Sequence, residues 1–162
     1  MSGWAVVVVR GLASGKTRLS PVLSELGRRL LNEAMLRRTL EAVAQTGLNC
    51  VVVTPCAEAA EVARTTDVIS ILEEDVSGQN EAAAAGLAWV RERGTDADIV
   101  VLPTDLPYLN SDALQGFLKA APAGGLSIAA DYTGAGTNAI CLRRSGEFWL
   151  FLRPGQSNPA CG

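Results

Sequence analysis

The stretch Trp4-Ala-Val-Val-Val-Val9 runs directly into Arg10-Gly-Leu-Ala-Ser-Gly-Lys-Thr-Arg-Leu-Ser20. Its first part is continuously apolar and mostly β-branched, which suits a strand buried on both faces of a parallel sheet. The second part is rich in glycine, serine and positive charge, and reads as a loop. Parallel strands need a crossover to reach one another, and the usual crossover is a helix. One is predicted over residues 24–45, with Ser24 as its N-cap and Gly47 as its stop. Leu26, Leu30, Met35, Leu36, Leu40 and Val43 supply its apolar stripe.

The alternation continues along the chain. Strands are predicted over 50–54, 68–72 and 99–102, and helices over 57–64, 80–93 and 111–120. Further strands are expected over 126–130 and 139–143, and a short helix or strand over 147–151. This spacing predicts an α/β fold: a single domain over residues 1–162 with a doubly wound, mostly parallel, Rossmann-like sheet. The last two strands are joined by a glycine-rich loop too short for a helical crossover, so that pair is expected to be antiparallel or irregular.

Composition narrows the function. The chain has 162 residues, 48% of them hydrophobic, enough for one sizeable core. The net charge of −3, from 14 basic and 17 acidic residues, is too mild to argue for nucleic acid or an anionic membrane as partner. No apolar run is long enough to span a bilayer, and 4–9 is too short for a signal core, so a cytoplasmic location is expected. Cys50, Cys56, Cys141 and Cys161 lack paired metal-type spacing and read as reduced thiols. Histidine is absent, which excludes a Ser-His-Asp triad, a Cys-His dyad and histidine-ligated zinc.

Gly11-Leu-Ala-Ser-Gly-Lys-Thr17 resembles a phosphate-binding Walker A loop, but it is one residue short between its first glycine and the Gly-Lys pair. The charges remain. Arg10, Lys16 and Arg18 follow the carboxyl end of the first strand, where open α/β sheets bind ligands, and they suit a triphosphate. The alternative is a solvated turn with ordinary surface charges.

Asp105 follows a buried strand in Leu102-Pro-Thr-Asp-Leu-Pro107, and the flanking prolines restrict its backbone. A hard oxygen ligand there suits magnesium bridging phosphates; the alternative is a turn cap. Asp131 ends the next strand, before Gly134-Ala-Gly-Thr-Asn138, and is a candidate second ligand of the same metal or the centre of an Asx-type turn. Thr137 and Asn138 add neutral donors. Gln79 and Asn80 open a helix and either contact a nucleotide or cap that helix.

Taken in order, these segments resemble one family. The segments are Gly-Lys-Thr-Arg-Leu-Ser-Pro-Val-Leu (15–23), Asn-Glu-Ala-Met-Leu (32–36), Leu-Pro-Thr-Asp-Leu-Pro (102–107) and Gly-Thr-Asn-Ala (136–139). The chain looks like the 2-phospho-L-lactate or phosphoenolpyruvate guanylyltransferases of deazaflavin coenzyme synthesis, within the molybdenum-cofactor-guanylyltransferase-like nucleotidyltransferase fold. The resemblance implies that a phosphorylated three-carbon acid attacks the α-phosphate of GTP and pyrophosphate leaves, with magnesium as cofactor. Lys16 and Arg18 match the family's basic loop, Asp105 its metal aspartate and Thr137 its contact to the acid's phosphate.

There are departures. Arg10 stands where the family has lysine, and Gly78-Gln79-Asn80 replaces a Gly-Leu-Asn turn. Arg153-Pro-Gly-Gln-Ser157 imperfectly matches a Gly-Pro-Gly-Ser-Phe turn, which gives Gly155 and Ser157 to the acid site only on the strength of the resemblance. Family members continue from that turn into a helix, a strand and a helix. Shortened C-terminal elements are therefore expected here, with an apolar face that a homodimer would cover. Two other readings stay open: a nucleotide-binding descendant without turnover, and a sugar-nucleotide-dependent glycosyltransferase-like protein of the same fold. The latter group carries cysteine after the aspartate, where this chain has Leu106.

Overall fold

Residues 3–13, 16–73, 78–93 and 97–143 are described by the computed structural model. Their strands are β1 (Gly3–Val8), β2 (Asn49–Thr54), β3 (Ile69–Leu72), β4 (Asp98–Pro103), β5 (Gly125–Ala130) and β6 (Thr137–Arg143). The helices are α1 (Glu25–Ala44), α2 (Ala57–Thr65), α3 (Gln79–Glu92) and α4 (Ser111–Ala120), and a 3-10 turn spans Thr17–Leu19. The short helix or strand expected over 147–151 and the residues Gly155, Ser157 and Cys161 lie outside the described residues.

The strands form one sheet in the order β3-β2-β1-β4-β6-β5. β1 pairs in parallel with β2 and β4, and β2 in parallel with β3. The continuous valine run of β1 is central and almost wholly covered, since Ala5, Val6 and Val7 expose none of their surface. β6 is antiparallel to both β4 and β5, with a register shift at Ala129/Ala130. Of the two outcomes expected for the last strand pair, an antiparallel ladder and an irregularity, both occur.

Among the described residues, helices cover the two faces unevenly. Leu36, Leu40 and Val43 of α1, Ala59 and Val62 of α2, and Leu114 and Leu118 of α4 pack with Val7, Val52 and Leu102 on one side. Ala82, Leu87 and Val90 of α3 pack with Val6, Val51 and Val53 on the other. On that second face the β6–β5 side carries Leu126 and Ile128, 40% and 55% exposed, paired with Leu142 and Ile140.

The α1 stripe needs a correction. Leu36, Leu40 and Val43 are buried, but Leu26 and Leu30 are 64% and 57% exposed. In the described core only the second half of α1 lies over the strands, so its opening turns carry their apolar residues outward. The predicted ends hold: Ser24 Oγ accepts the Gly27 N–H at 3.1 Å, and Gly47 adopts φ +75°. Among the described residues no helix is long and apolar enough to cross a membrane.

Candidate functional site

Strand order locates the crevice. From β1 the chain winds to β2 and β3 on one side, then returns past β1 to place β4 on the other. β1 and β4 are therefore neighbours whose onward connections diverge, and ligands of open α/β sheets bind at the carboxyl edge of such a switch point. Arg10 and the 3-10 turn follow β1, and Asp105 follows β4, so both candidate loops border this crevice.

Among its described residues, the loop after β1 is anchored to the core at Leu12. Leu12 is 2% exposed and belongs to the core. Asn32 on α1 donates its side-chain Nδ2–H to the Leu12 carbonyl at 2.7 Å. Lys16 is partly buried and sits at φ 50°, ψ 32°, the left-handed region, just before the 3-10 turn. For a side chain with a Cβ that conformation is unfavourable by about 1–2 kcal/mol. Such residues concentrate at functional sites. The Leu19 N–H to Lys16 carbonyl bond, 2.8 Å, closes the turn. Arg10 and Arg18 are exposed.

Asp105 is exposed in the loop beyond β4, one residue ahead of a turn closed by the Leu109 N–H to Leu106 carbonyl bond at 3.1 Å. Arg38 on α1 donates from Nε to the Leu109 carbonyl at 3.0 Å. Asn32 and Arg38 thus tie one helix to both loops. Neither was singled out in the sequence as a site residue. Asn32 lay inside a family segment without a role, and the usable signal was an amide on the face of α1 that also carries Leu36 and Leu40.

Asp131 is committed to its own turn. Its Oδ1 accepts from the Thr133 N–H at 3.0 Å, the Thr133 hydroxyl at 2.7 Å and the Ala135 N–H at 3.2 Å. The Thr133 hydroxyl, then the Gly136 N–H, hold its carboxyl below the usual aspartate range. The loop is closed by Asp131 N–H to the Gly136 carbonyl, 2.9 Å, and by Gly134 N–H to the Asp131 carbonyl, 3.1 Å. Strand β6 lies between β4 and β5, so the ends leading to Asp105 and Asp131 are two strand spacings, about 10 Å, apart.

Thr137 and Asn138 are the first residues of β6, earlier than the predicted start at 139. Thr137 is exposed opposite Ala130, and Asn138 Nδ2 reaches the Ala130 carbonyl at 3.5 Å. Gln79 and Asn80 are exposed in the first turn of α3. The N-cap position of α3 is Gly78, so neither Gln79 nor Asn80 occupies it. Of the free thiols, burial pushes Cys50 up to about 12 and Cys141 upward too, so neither supplies a thiolate nucleophile near neutral pH.

A family model described as guanylyl transferase CofC like matches residues 4–151. The chain belongs to this CofC-like family. It is 37% identical over 148 residues to the phosphoenolpyruvate guanylyltransferase of Nocardia farcinica, covering 88% of this chain and 66% of that protein. It is 34% identical over 148 residues to the 3-phospho-D-glycerate guanylyltransferase of Phenylobacterium zucineum, covering 89% and 68%. The chain thus spans about two thirds of the length of these curated CofC-like relatives. Among solved structures, one described as a nucleotide-diphospho-sugar transferase from Desulfovibrio desulfuricans G20 superposes with a TM-score of 0.70. The match covers 89% of this chain and 64% of that one at 16% identity, a likeness of fold.

Proposed function

We propose that this CofC-like chain transfers GMP from GTP to a phosphorylated three-carbon acid and releases pyrophosphate. Phosphoenolpyruvate, 2-phospho-L-lactate and 3-phospho-D-glycerate are the candidate acceptors. The resemblance read from the sequence suggests deazaflavin coenzyme synthesis in the cytoplasm as the setting. The observation that carries this reading is the switch point, where the cationic loop after β1 and the Asp105 loop after β4 border one crevice. The names of the relatives support the choice of guanylyl group and acceptor class.

In this reading the triphosphate lies against Arg10, Lys16 and Arg18, whose charges offset those of its oxygens. An oxygen of the acid's phosphate attacks the α-phosphorus of GTP. A new phosphorus–oxygen bond forms there, and the bond to the β-phosphate bridging oxygen breaks, so that pyrophosphate departs with the electron pair. Such a transfer depends on positioning and charge neutralisation more than on a protein nucleophile, which fits a chain without histidine. Thr137 and Asn138, with Gly155 and Ser157 by resemblance, would hold the acid, and Gln79 and Asn80 would contact the nucleotide.

The donor set accommodates magnesium. That ion needs only one or two carboxylates beside substrate phosphates and water. Among the described residues no group of three or more His, Cys, Asp and Glu side chains is assembled, and Asp105 is an exposed carboxylate at the crevice. Asp105 would hold the ion. When bound, magnesium would stabilise charge on the phosphate oxygens.

Incubating the protein with GTP, magnesium and each acid in turn tests the reading by pyrophosphate release. Release is expected with at least one acid. Calorimetric GTP binding without release on any acid would replace it with a nucleotide-binding module, and turnover of a nucleotide sugar alone would replace it with a glycosyltransferase.

A further inference from the structure

We propose that Asp131 is a positioning residue of the acceptor side: it folds loop 131–136 so that Thr137 and Asn138 enter β6 at the carboxyl edge, and it does not ligate the metal. The inference rests on the reading above that Thr137 belongs to the phospho-acid site.

Three independent observations converge on it. The first is that Oδ1 of Asp131 accepts three hydrogen bonds from within the loop, from the Thr133 N–H, the Thr133 hydroxyl and the Ala135 N–H. An oxygen with three donors aimed at it has little capacity left for a cation. The second is the space around the other oxygen. A Cβ built on Gly136 would lie 2.6 Å from Oδ2 and 3.1 Å from Cγ, so the loop closes directly onto the carboxylate and leaves no room there for a side chain at 136. The third is register. β5 and β6 pair with a uniform offset from Leu126 to Ala129, then shift so that Ala130 faces Thr137. The shift falls at the residue before Asp131, and the Asp131 N–H bonds the Gly136 carbonyl across the loop mouth at 2.9 Å. The carboxylate-centred turn therefore fixes where β6 begins, and with it which residues, Thr137 and Asn138, stand at the edge next to β4.

A ligand role and a positioning role make opposite predictions for the conservative variant. Asp131→Asn keeps one acceptor oxygen for the Thr133 and Ala135 donors but loses the negative charge a metal would use. Asp131→Ala loses both. Gly136→Ala keeps the carboxylate but pushes it out of place. The test measures KM for the phospho-acid, KM for GTP and the magnesium titration of turnover in all three. It also measures amide hydrogen exchange at Thr133 and Ala135.

The expected pattern is an acid KM raised about tenfold or more in Asp131→Ala and Gly136→Ala, in keeping with the cost of misplacing a contact. KM for GTP and the magnesium midpoint should not change, and Asp131→Asn should rescue most of the acid KM. Amide exchange at 133 and 135 should speed up in the alanine variants and not in the asparagine one. Loss of turnover in Asp131→Asn equal to that in Asp131→Ala, with a magnesium midpoint moved to higher concentration, would overturn the proposal in favour of a ligand. An unchanged acid KM in Asp131→Ala would overturn it as well. If the wild-type protein turns over no phospho-acid, the functional reading fails, and the exchange measurement alone decides whether the carboxylate holds the loop.

Discussion

Asn32 on α1 hands a hydrogen bond to the main-chain carbonyl of Leu12, 2.7 Å away and twenty residues back in sequence. The bond pins the loop after β1 to the helix, and that loop carries Arg10, Lys16 and Arg18. Losing one such bond at a partly buried carbonyl costs about 1–2 kcal/mol. Asn32→Ala is therefore expected to weaken GTP binding by about tenfold, since about 1.4 kcal/mol is a factor of ten. Calorimetry with GTP checks this. Unaltered affinity would mean the loop holds its shape without the helix.

Lys16 offers a test that separates stability from its proposed role, because its backbone occupies the left-handed region at φ 50°, ψ 32°. Glycine adopts that region freely, so Lys16→Gly relieves about 1 kcal/mol of backbone cost while removing the cation. The variant is expected to melt slightly higher than wild type and to release pyrophosphate about a hundredfold more slowly, the scale of losing one charge-stabilising donor. Thermal melts paired with the pyrophosphate assay read both. A glycine variant with wild-type turnover would remove Lys16 from the phosphate site.

Asp105 is exposed. Replacing it should leave folding within about 0.5 kcal/mol of wild type, as for most surface substitutions. If it holds the metal, Asp105→Asn should slow turnover by about a hundredfold or more and shift the magnesium dependence to higher concentration. The magnesium titration at saturating GTP is the measurement. An asparagine variant with an unchanged midpoint would show that Asp105 only shapes its turn.

How far the sequence reaches can be seen element by element. β1 was legible because an unbroken valine run has few other homes than a doubly covered central strand, and Ser24 and Gly47 marked the ends of α1 by capping chemistry. Leu26 and Leu30 misled, because periodicity identifies a helix face but not where along its length the sheet stops. The crevice itself was half legible. Charge and proline flagged the two loops, but their adjacency depends on β4 pairing with β1, a contact between distant parts of the chain. Asp131 shows the same limit. A carboxylate before a glycine-rich turn reads on paper as a metal ligand or as the centre of an Asx turn, and the bonds from Thr133 and Ala135 show where its oxygen is directed.

Two glycines in helices should respond to alanine with opposite signs. On propensity alone, Gly→Ala inside a helix gains about 1 kcal/mol. Gly116 on α4 is exposed, and a Cβ there would meet nothing within 4 Å, so Gly116→Ala should realise most of that gain. Gly86 on α3 is buried against the sheet, where a Cβ would lie 2.4 Å from Val6 Cγ1 and 3.0 Å from Val53 Cγ2. Relieving that overlap requires α3 to lift from β1 and β2 or the valines to leave their rotamers, which costs about 1–3 kcal/mol or more. Overpacking should therefore offset or outweigh propensity, leaving Gly86→Ala destabilised by up to about 2 kcal/mol, or up to about 8 °C in melting temperature. Denaturant melts of the two variants beside wild type give the comparison. Equal stabilisation by both would mean that α3 does not sit as close to Val6 as the packing shows.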